Sequence, residues 1–227
     1  MTDKALGNYR QHFGNRSKLK IIQNGIDIQK LNNASANRLE TRQTIFRTND
    51  ETIFLQVGRF SQTKQQHLSI SAFIQAYKQD KISKSKLFFA GLIEDKEYFL
   101  ELKKVVSDAS LQESIIFLGP RSDIPNLLSA ADVYVMPSLR EAHSIAFLEA
   151  LSSGITVIAS DIKAFERGKQ FPGVFVLQPE NTQIFSNMIS ECSKQSSISR
   201  WERDMSEFSI KNSADAYLKV FNILLKR

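Results

Sequence analysis

The chain has 227 residues, of which 42% are hydrophobic and 10% aromatic, so it can bury the core of one large domain with appendages. This composition excludes a disordered protein. Its single cysteine, Cys192, excludes an internal disulfide and a cysteine-cluster metal site, and the three histidines have no ligand spacing. The sequence shows no apolar signal-peptide core and no run approaching about 20 apolar residues. We therefore expect a cytoplasmic protein that makes at most peripheral contact with a membrane.

The positive charge of the chain is concentrated towards its amino terminus. Of a formal net charge of +6, residues 1–50 contribute nine Lys/Arg against four Asp/Glu, whereas residues 51–227 contribute 21 against 20. The basic segment lacks the interleaved aromatic side chains that are typical of single-strand nucleic-acid binders. We expect no nucleic-acid partner, and a solvated arm is favoured over a surface for an anionic partner.

The first 50 residues show little of the periodicity of a folded domain. Residues 3–15 have a weak helical pattern, and KLKIIQNG at residues 18–25 predicts a strand followed by a turn. Residues 28–50 are polar and have no apolar period, which predicts a linker. One helix and one strand cannot bury a core of their own.

From residue 53 onwards, short β-rich runs alternate with longer helical patterns, the order typical of a doubly wound α/β domain. The predicted strands are residues 53–58, 86–91, 115–119, 132–137, 156–160 and 174–178. Helical patterns occupy residues 64–80, 95–111, 122–131, 144–154, 179–193 and 213–227. We therefore predict a mostly parallel sheet of about six strands with helices on both faces.

Two glutamates with seven residues between them are the strongest candidates for a functional site. Glu141 follows the fourth predicted strand, and Glu149 lies about a turn inside the helix that ends at Gly154. Open α/β sheets bind ligands beyond the carboxyl ends of their strands, where helix N-termini offer unpaired N–H groups. Carboxylates at that edge can grip sugar hydroxyls. Taken alone, the pair is better explained as two solvated surface glutamates.

Several further segments stand in the order in which one enzyme family carries them. These are QNGID at residues 23–27, VGRFSQTK at 57–64, LFFAG at 87–91, IIFLG at 115–119, ADVYVMPS at 131–138 and LSSGITVIAS at 151–160. Together with the glutamate pair, this set resembles the carboxyl-terminal, donor-binding half of GT-B glycosyltransferases, in particular glycosyltransferase family 4. The resemblance runs from about residue 18 to the end of the chain, and it implies a Rossmann-like fold.

The resemblance assigns roles to residues at the predicted strand ends. It implies that Arg59 and Lys64, next to Gly58, bind the diphosphate of a nucleotide sugar, and cationic side chains there would suit its negative charge. It implies that Glu149 holds the ribose hydroxyls. Glu141 would hold the donor sugar and act as the catalytic electrostatic partner of the reacting ring. A carboxylate suits a vicinal diol because it accepts two hydrogen bonds at once.

The remaining implied donor contacts are less regular. Arg121 stands where the family contacts the nucleobase, although a surface arginine is nearly as good an interpretation. The family has glycine after its first glutamate and again two residues later, whereas this chain has Ala142 and Ser144. A residue that needed positive φ there would be strained. His143 between them is a donor contact or a packed histidine. No Asp-x-Asp motif occurs, so we expect no metal and no cofactor besides a UDP- or GDP-sugar donor.

The resemblance also divides the chain into parts. Residues 1–50 are expected to be the last helix and strand of an amino-terminal domain plus a linker, residues 51–195 the donor-binding domain, and residues 196–227 helices that cross back. The acceptor-binding domain would then come from elsewhere, as a missing domain or a partner subunit, and the last helix would expose an apolar stripe that favours self-association. We expect the donor-binding part of a retaining hexosyltransferase (EC 2.4) for polysaccharide or glycolipid acceptors, incomplete or inactive alone. The alternative is a non-catalytic nucleotide-sugar-binding or regulatory subunit.

Overall fold

The computed structural model describes residues 7, 10, 11, 21–79, 82–194 and 200–225. These residues form a six-stranded sheet in the order β3-β2-β1-β4-β5-β6, and every neighbouring pair is parallel. The strands are β1 (Thr52–Val57), β2 (Ser85–Ala90), β3 (Ile115–Gly119), β4 (Val133–Met136), β5 (Thr156–Ser160) and β6 (Val174–Leu177). This strand order is that of the doubly wound Rossmann fold, so the predicted fold class is confirmed.

The α-helices cover both faces of the sheet, as parallel connections require. They are α1 (Ile28–Asn33), α2 (Arg38–Thr41), α3 (Gln66–Lys78), α4 (Lys96–Asp108), α5 (Ile124–Ala130), α6 (Ile145–Ser152), α7 (Thr182–Ser193) and α8 (Ile210–Leu225). Tighter or wider turns occupy Ala34–Asn37, Arg42–Phe46, Gln62–Lys64, Lys163–Gln170 and Ser206–Phe208. Every helical pattern predicted between residues 64 and 193 is present, with boundaries shifted by a few residues.

Each face of the sheet has its own hydrophobic core. On one face, α3, α4 and α7 contribute buried side chains such as Phe73, Leu102 and Phe185. On the other face, α5 and α6 contribute Leu128 and Leu151, among others. Strands β4 and β5 are buried along their whole length, whereas β3 and β6 at the two edges are only partly buried. The centre of the sheet is therefore its most deeply buried part.

The prediction that residues 28–50 form a linker was wrong, because the segment is helical from Ile28 to Phe46 and packs on the domain. It is anchored both by apolar side chains buried in the core, such as Leu31 and Phe46, and by a buried arginine. Arg42 is buried and donates to both carboxylate oxygens of Asp132 at 3.1 and 2.9 Å and to the carbonyl of Ala130 at 2.9 Å. Asp132 also accepts from the backbone N–H of Ile53 at 2.8 Å. Because the buried apolar residues of the segment are few and a buried arginine shares the anchoring, hydrophobic periodicity did not reveal it.

The predicted strand at residues 18–25 is not formed in its described part. Residues 21–25 are irregular, and Ile26 makes a single parallel bridge with Ser209. Backbone bonds of 2.8 Å, from Ile26 N to the carbonyl of Phe208 and from Ile210 N to the carbonyl of Ile26, complete this contact. The weak helical pattern at residues 3–15 lies largely outside the described residues. Ile26 therefore ties the start of the domain to its carboxyl-terminal segment.

Helix α8 lies on the surface and has no buried residue. Several of its large apolar side chains are exposed, among them Tyr217, Phe221 and Leu224. This matches the expected exposed stripe. Within the described part of the chain, no helix combines the length and the hydrophobicity that a bilayer span would need.

Candidate functional site

The candidate site lies where the direction of the strand order reverses. Strands β1 and β4 are neighbours, but their crossover connections leave on opposite sides, so the loops after them open a crevice at the carboxyl edge of the sheet. Open α/β sheets bind ligands in this crevice. The loop after β1 carries Gly58, Arg59 and Lys64, and the loop after β4 carries Glu141 to Ser144.

An ion pair closes the crevice between these two loops. Nζ of Lys64 donates to Oε1 of Glu141 at 2.5 Å, and the two side chains are only 20% and 10% exposed. The aliphatic part of the Lys64 side chain lies over Gly58, since a Cβ added at Gly58 would be 3.6 Å from Cδ of Lys64. The structure thus brings Gly58, Lys64 and Glu141 together, although up to 83 positions separate them in the sequence. A partly buried cation and a partly buried carboxylate stand at the switch point.

A buried polar network that the sequence analysis missed holds the Lys64 loop in place. Gln56, within β1, donates from Nε2 to the carbonyl of Lys64 at 2.8 Å and accepts from Oγ of Ser69 at 2.7 Å. Gln66 donates from Nε2 to the carbonyl of Arg59 at 2.9 Å. All three side chains are buried. The one polar residue in the apolar run IFLQVG was the signal that could have revealed this network, because buried polar groups need partners.

Two backbone features shape the same loop. Gln65, which directly follows Lys64, has a left-handed backbone with φ of 54°. A Cβ added at Gly91, at the end of β2, would lie 1.9 Å from the carbonyl oxygen of Gly58, so only glycine fits there. Non-glycine residues rarely adopt positive φ, which makes Gln65 a strained position at the entrance to α3.

Arg59 turns away from the Lys64–Glu141 pair towards the loop after β2. Its guanidinium forms a salt bridge with Glu94, and both side chains are well exposed, at 62% and 43%. Glu94 was not singled out in the sequence, where nothing distinguishes it from a solvated glutamate. Both cations expected to face a diphosphate are therefore paired with carboxylates in this structure.

Helix α6 positions the second half of the glutamate pair. Ser144 caps the helix, since its Oγ accepts from the N–H of Phe147 at 3.2 Å, and the predicted stop at Gly154 has a φ of +72°. Glu149 is half-buried, and the hydrogen bonds of the described residues include none to its carboxylate. Burial raises the pKa of Glu149, and Lys30 on α1 partly opposes that shift. The charge of this carboxylate is therefore poorly solvated.

Tyr134 lies close enough to both glutamates for their charges to affect its hydroxyl. It is fully buried in β4, and its hydroxyl donates to the carbonyl of Val57 at 3.2 Å. Burial first, and then the negative charges of Glu141 and Glu149, raise the pKa of this phenol far above its usual range. Tyr134 therefore stays neutral at physiological pH.

The other predicted donor contacts occupy different surroundings. His143 lies beside α6 with its Nδ1 buried and without a hydrogen-bond partner among the described residues, and burial lowers its pKa. Ala142 is exposed on the same loop. Arg121 lies beyond the end of β3, two strands from β1, and makes a bidentate pair with Asp123 at 2.8 and 2.6 Å. The structure does not bring Arg121 into contact with the Lys64–Glu141 pair.

Acidic and metal-ligating side chains are not clustered in the described part of the chain. No group of three or more His, Cys, Asp or Glu residues there is arranged to hold a metal ion. The charges that the crevice offers a ligand are those of Lys64, Arg59 and the glutamates. Lysine and arginine side chains can bind phosphate oxygens directly.

A known protein family matches the part of the chain that carries this site. The family described as "Glycosyl transferases group 1" matches residues 37–196, which is well over half of the chain. The chain belongs to the glycosyl transferases group 1 family. Among curated members, it is 33% identical over 147 residues to the Escherichia coli UDP-Gal:alpha-D-GlcNAc-diphosphoundecaprenol alpha-1,3-galactosyltransferase. It is 30% identical over 156 residues to the Xanthomonas oryzae GDP-mannose:cellobiosyl-diphosphopolyprenol alpha-mannosyltransferase.

These two relatives are longer than the chain. The matches cover 64% and 66% of this chain but only 37% of each relative. Among solved structures, Anabaena HepE in complex with UDP and glucose superposes with a TM-score of 0.82 at 22% identity, over 97% of this chain and 61% of HepE. A glycosyltransferase from Rickettsia africae gives a TM-score of 0.80 at 18% identity, over 99% and 62% of the two chains. At these identities the structures support the shared fold alone.

Proposed function

We propose that the chain is the donor-binding portion of a retaining, metal-independent glycosyltransferase of family 4, which transfers a hexosyl unit from a nucleotide sugar to a glycan or glycolipid acceptor. The observation that carries the proposal is the Lys64–Glu141 pair at the topological switch point of the sheet. The partly buried cation suits the diphosphate of a nucleotide sugar, and the carboxylate beside it suits the hydroxyls of the sugar. Family membership supports the same reaction class.

The chemistry requires positive charge on the leaving-group side. When the bond between the donor sugar and its phosphate breaks, its electron pair passes to the phosphate oxygen of the nucleoside diphosphate. The acceptor hydroxyl oxygen forms the new bond to the same carbon, and its proton passes to the departing phosphate. Lys64, which is 20% exposed, and Arg59 would neutralise the developing phosphate charge. Such stabilisation is strongest where water is excluded.

The carboxylates suit the hydroxyl-bearing parts of the donor. Glu141 faces the crevice beside Lys64, so it would hold the hydroxyls of the sugar ring and stabilise positive charge that develops on that ring. Glu149, half-buried and without a hydrogen bond among the described residues, would accept from the ribose hydroxyls. Gly58 and the segment Ala142 to Ser144 would bring backbone close to the donor. Arg121 would approach the nucleobase after releasing Asp123.

The acceptor side of the proposal rests on the relatives. The Escherichia coli and Xanthomonas oryzae proteins are named for acceptors linked to a polyprenyl diphosphate. Because the matches cover only 37% of each relative, we propose that a further domain or a partner subunit completes acceptor binding. Action at the cytoplasmic face of a membrane, in polysaccharide or glycolipid assembly, would fit such acceptors.

Release of nucleoside diphosphate tests the proposal. The chain would be incubated with UDP-glucose, UDP-galactose or GDP-mannose, first alone and then with polyprenyl-diphosphate sugars, and free UDP or GDP would be measured. Donor-dependent release that disappears in Lys64→Met supports a transferase. Donor binding without turnover in any combination supports a second candidate, a nucleotide-sugar-binding subunit, which the exposed face of α8 also favours because that face can dock on another protein. Absence of donor binding contradicts both.

A further inference from the structure

Arg121 and Asp123 form a two-bonded pair in the short connection between β3 and α5. Oδ1 of Asp123 accepts from Nε of Arg121 at 2.8 Å, and Oδ2 accepts from Nη2 at 2.6 Å. The carboxylate makes no capping hydrogen bond to α5, although Asp123 directly precedes that helix. The two side chains are 31% and 27% exposed, so a ligand can reach both. Asp123 therefore presents a carboxylate that receives two parallel N–H donors.

The pair lies on the side of the crevice towards which the nucleoside of a donor would extend. Helix α5 packs beside α6, and both helices contribute to the same core. Each follows a strand of the parallel sheet, so Asp123 before α5 and Glu149 on α6 lie towards the carboxyl edge. The axes of packed helices are about 8–10 Å apart. With the diphosphate at Lys64 and the ribose at Glu149, the attached base would come within reach of Asp123.

The two parallel bonds to Asp123 match the hydrogen-bonding pattern of one nucleobase. The Watson–Crick edge of guanine carries two adjacent donors, N1–H and the 2-amino group, which are arranged like two N–H groups of a guanidinium. Uracil has a single ring N–H between two carbonyl oxygens, so a carboxylate that faced it would meet two further acceptors. Adenine and cytosine each offer one amino group next to an unprotonated ring nitrogen. Guanine can therefore replace Arg121 on Asp123 bond for bond.

This exchange would release Arg121 to another edge of the same base. Arginine side chains commonly donate two hydrogen bonds to O6 and N7 of guanine. Opening the Arg121–Asp123 pair costs little, because exposed ion pairs contribute up to about 1 kcal/mol. The hydrogen bond from Arg121 lowers the pKa of Asp123, so the carboxylate is ionised at neutral pH. Both members of the pair would then bind the base, one as acceptor and the other as donor.

We propose that Asp123, together with Arg121, selects guanine, so that the donor of this chain is a GDP-sugar. The inference rests on the proposed function, which supplies the nucleotide-sugar site, and it names the nucleobase of that donor. UDP would keep the contacts of its diphosphate and ribose and would leave the Arg121–Asp123 pair closed. It would therefore bind at the same site, but more weakly than GDP.

Calorimetric titration of the full chain with GDP, IDP, UDP and ADP tests the inference. IDP, inosine diphosphate, differs from GDP only in lacking the 2-amino group, so the ratio of these two affinities isolates one donor to Asp123. We expect GDP to bind about ten-fold more tightly than IDP and at least as much more tightly than UDP or ADP, the scale of one charged hydrogen bond. Asp123→Asn should bring the GDP and IDP affinities together without reducing the UDP affinity.

Asp95→Asn is the matched control for this substitution. Asp95 precedes α4 as Asp123 precedes α5, and its carboxylate accepts from the N–H of Tyr98 at 3.0 Å. The control removes the same charge at the same edge of the sheet, so it should leave the ratio of GDP to IDP affinity at the parental value. Both variants should fold, since asparagine is as favourable as aspartate before a helix, and thermal unfolding checks this.

Other outcomes overturn the inference in distinguishable ways. If UDP, ADP or IDP binds as tightly as GDP, the guanine assignment is wrong and the nucleotide site stands. If Asp123→Asn weakens GDP, IDP and UDP by the same factor, Asp123 supports the loop and does not read the base. A ratio of GDP to IDP affinity that Asp95→Asn lowers as much as Asp123→Asn would also remove Asp123 as the selecting group. If no nucleotide binds the parent chain, the proposed function fails, and the inference fails with it.

Discussion

Lys64 and Glu141 meet across the crevice between β1 and β4, with Nζ donating to Oε1 at 2.5 Å. Each neutralises the other while no donor is bound. A sugar diphosphate would offer Lys64 a phosphate and Glu141 a set of hydroxyls, so both groups would exchange one charged partner for another. The pair is therefore a preorganised site, and mutating Lys64 or Glu141 singly should show what each contributes to donor binding.

Replacing Glu141 by glutamine should distinguish binding of the donor sugar from binding of the nucleotide. In Glu141→Gln, the carboxylate that would hold the sugar hydroxyls is lost and Lys64 is released. We expect UDP-glucose affinity to fall by about 1–3 kcal/mol, the usual scale for a charged hydrogen bond, while UDP affinity is not reduced. Calorimetric titration of both ligands measures the difference.

Glu51→Gln is the matched control for this change. Glu51 pairs with Nζ of Lys86 at 2.7 Å with similar partial burial, but it lies at the opposite, amino-terminal edge of the strands. It should leave both affinities unchanged. Equal losses for UDP and UDP-glucose in Glu141→Gln would rule out the assignment of Glu141 to the sugar.

The exposed Arg59–Glu94 pair competes with the diphosphate for Arg59. Glu94→Gln removes the competing charge, so UDP should bind more tightly. Exposed ion pairs are worth up to about 1 kcal/mol, which limits the gain to a few-fold, and the gain should shrink as salt screens the charges. Titrations at low and high ionic strength measure it. Weaker UDP binding in Glu94→Gln would show that Glu94 supports the site rather than competing with it.

Glu149 should show opposite effects on stability and on binding. Burial raises the pKa of its carboxyl above the usual 4.5, so ionisation costs more free energy in the folded than in the unfolded chain. The resulting loss of stability is absent below the pKa that Glu149 has in the unfolded chain. It grows as the pH rises towards and through the pKa that Glu149 has in the folded chain. Glu149→Gln should therefore have a higher Tm than the parent chain at pH 7, and no advantage below about pH 4.

The same variant should bind UDP more weakly, by about 1–3 kcal/mol, because an amide replaces the carboxylate that accepts from the ribose. Thermal unfolding at the two pH values and titration with UDP provide the two measurements. A variant with parental UDP affinity would remove Glu149 from the site. A Tm advantage that persisted at low pH would show that ionisation of Glu149 is not its cause.

The sheet and the glutamate pair could be predicted from the sequence because they depend on local pattern. The strands are short apolar runs, and the loops after them follow at regular intervals, so the position of Lys64 and Glu141 at one edge follows from parallel topology. The helical segment at residues 28–46 was missed, because part of its anchoring is the long-range contact of Arg42 with Asp132, 90 positions away. The pairing of Arg59 with Glu94 and the isolation of Arg121 depend on side-chain directions that spacing does not encode.

Gln56 should act as a positioning residue for Lys64. Gln56→Met leaves the Lys64 carbonyl and the Ser69 hydroxyl without their partner in a buried site, which should destabilise the chain by about 1–3 kcal/mol. UDP affinity measured well below the Tm should also fall, because the loop that carries Lys64 is released. Gln75→Met is the control, since Gln75 bonds Gln183 on the exposed surface of α3. Lower stability with unchanged UDP affinity would make the role of Gln56 purely structural.

Titration of the parent chain and of the Lys64→Met variant with UDP and GDP tests the central claim most directly. We predict that the parent chain binds at least one of the two nucleotides and that Lys64→Met binds it about ten-fold or more weakly, as expected for a lost charged hydrogen bond. Lys86→Met, which breaks an ion pair of similar burial at the other edge of the sheet, should bind like the parent. No binding by the parent chain, or equal affinity in Lys64→Met, would contradict a nucleotide-sugar site at the β1–β4 switch point.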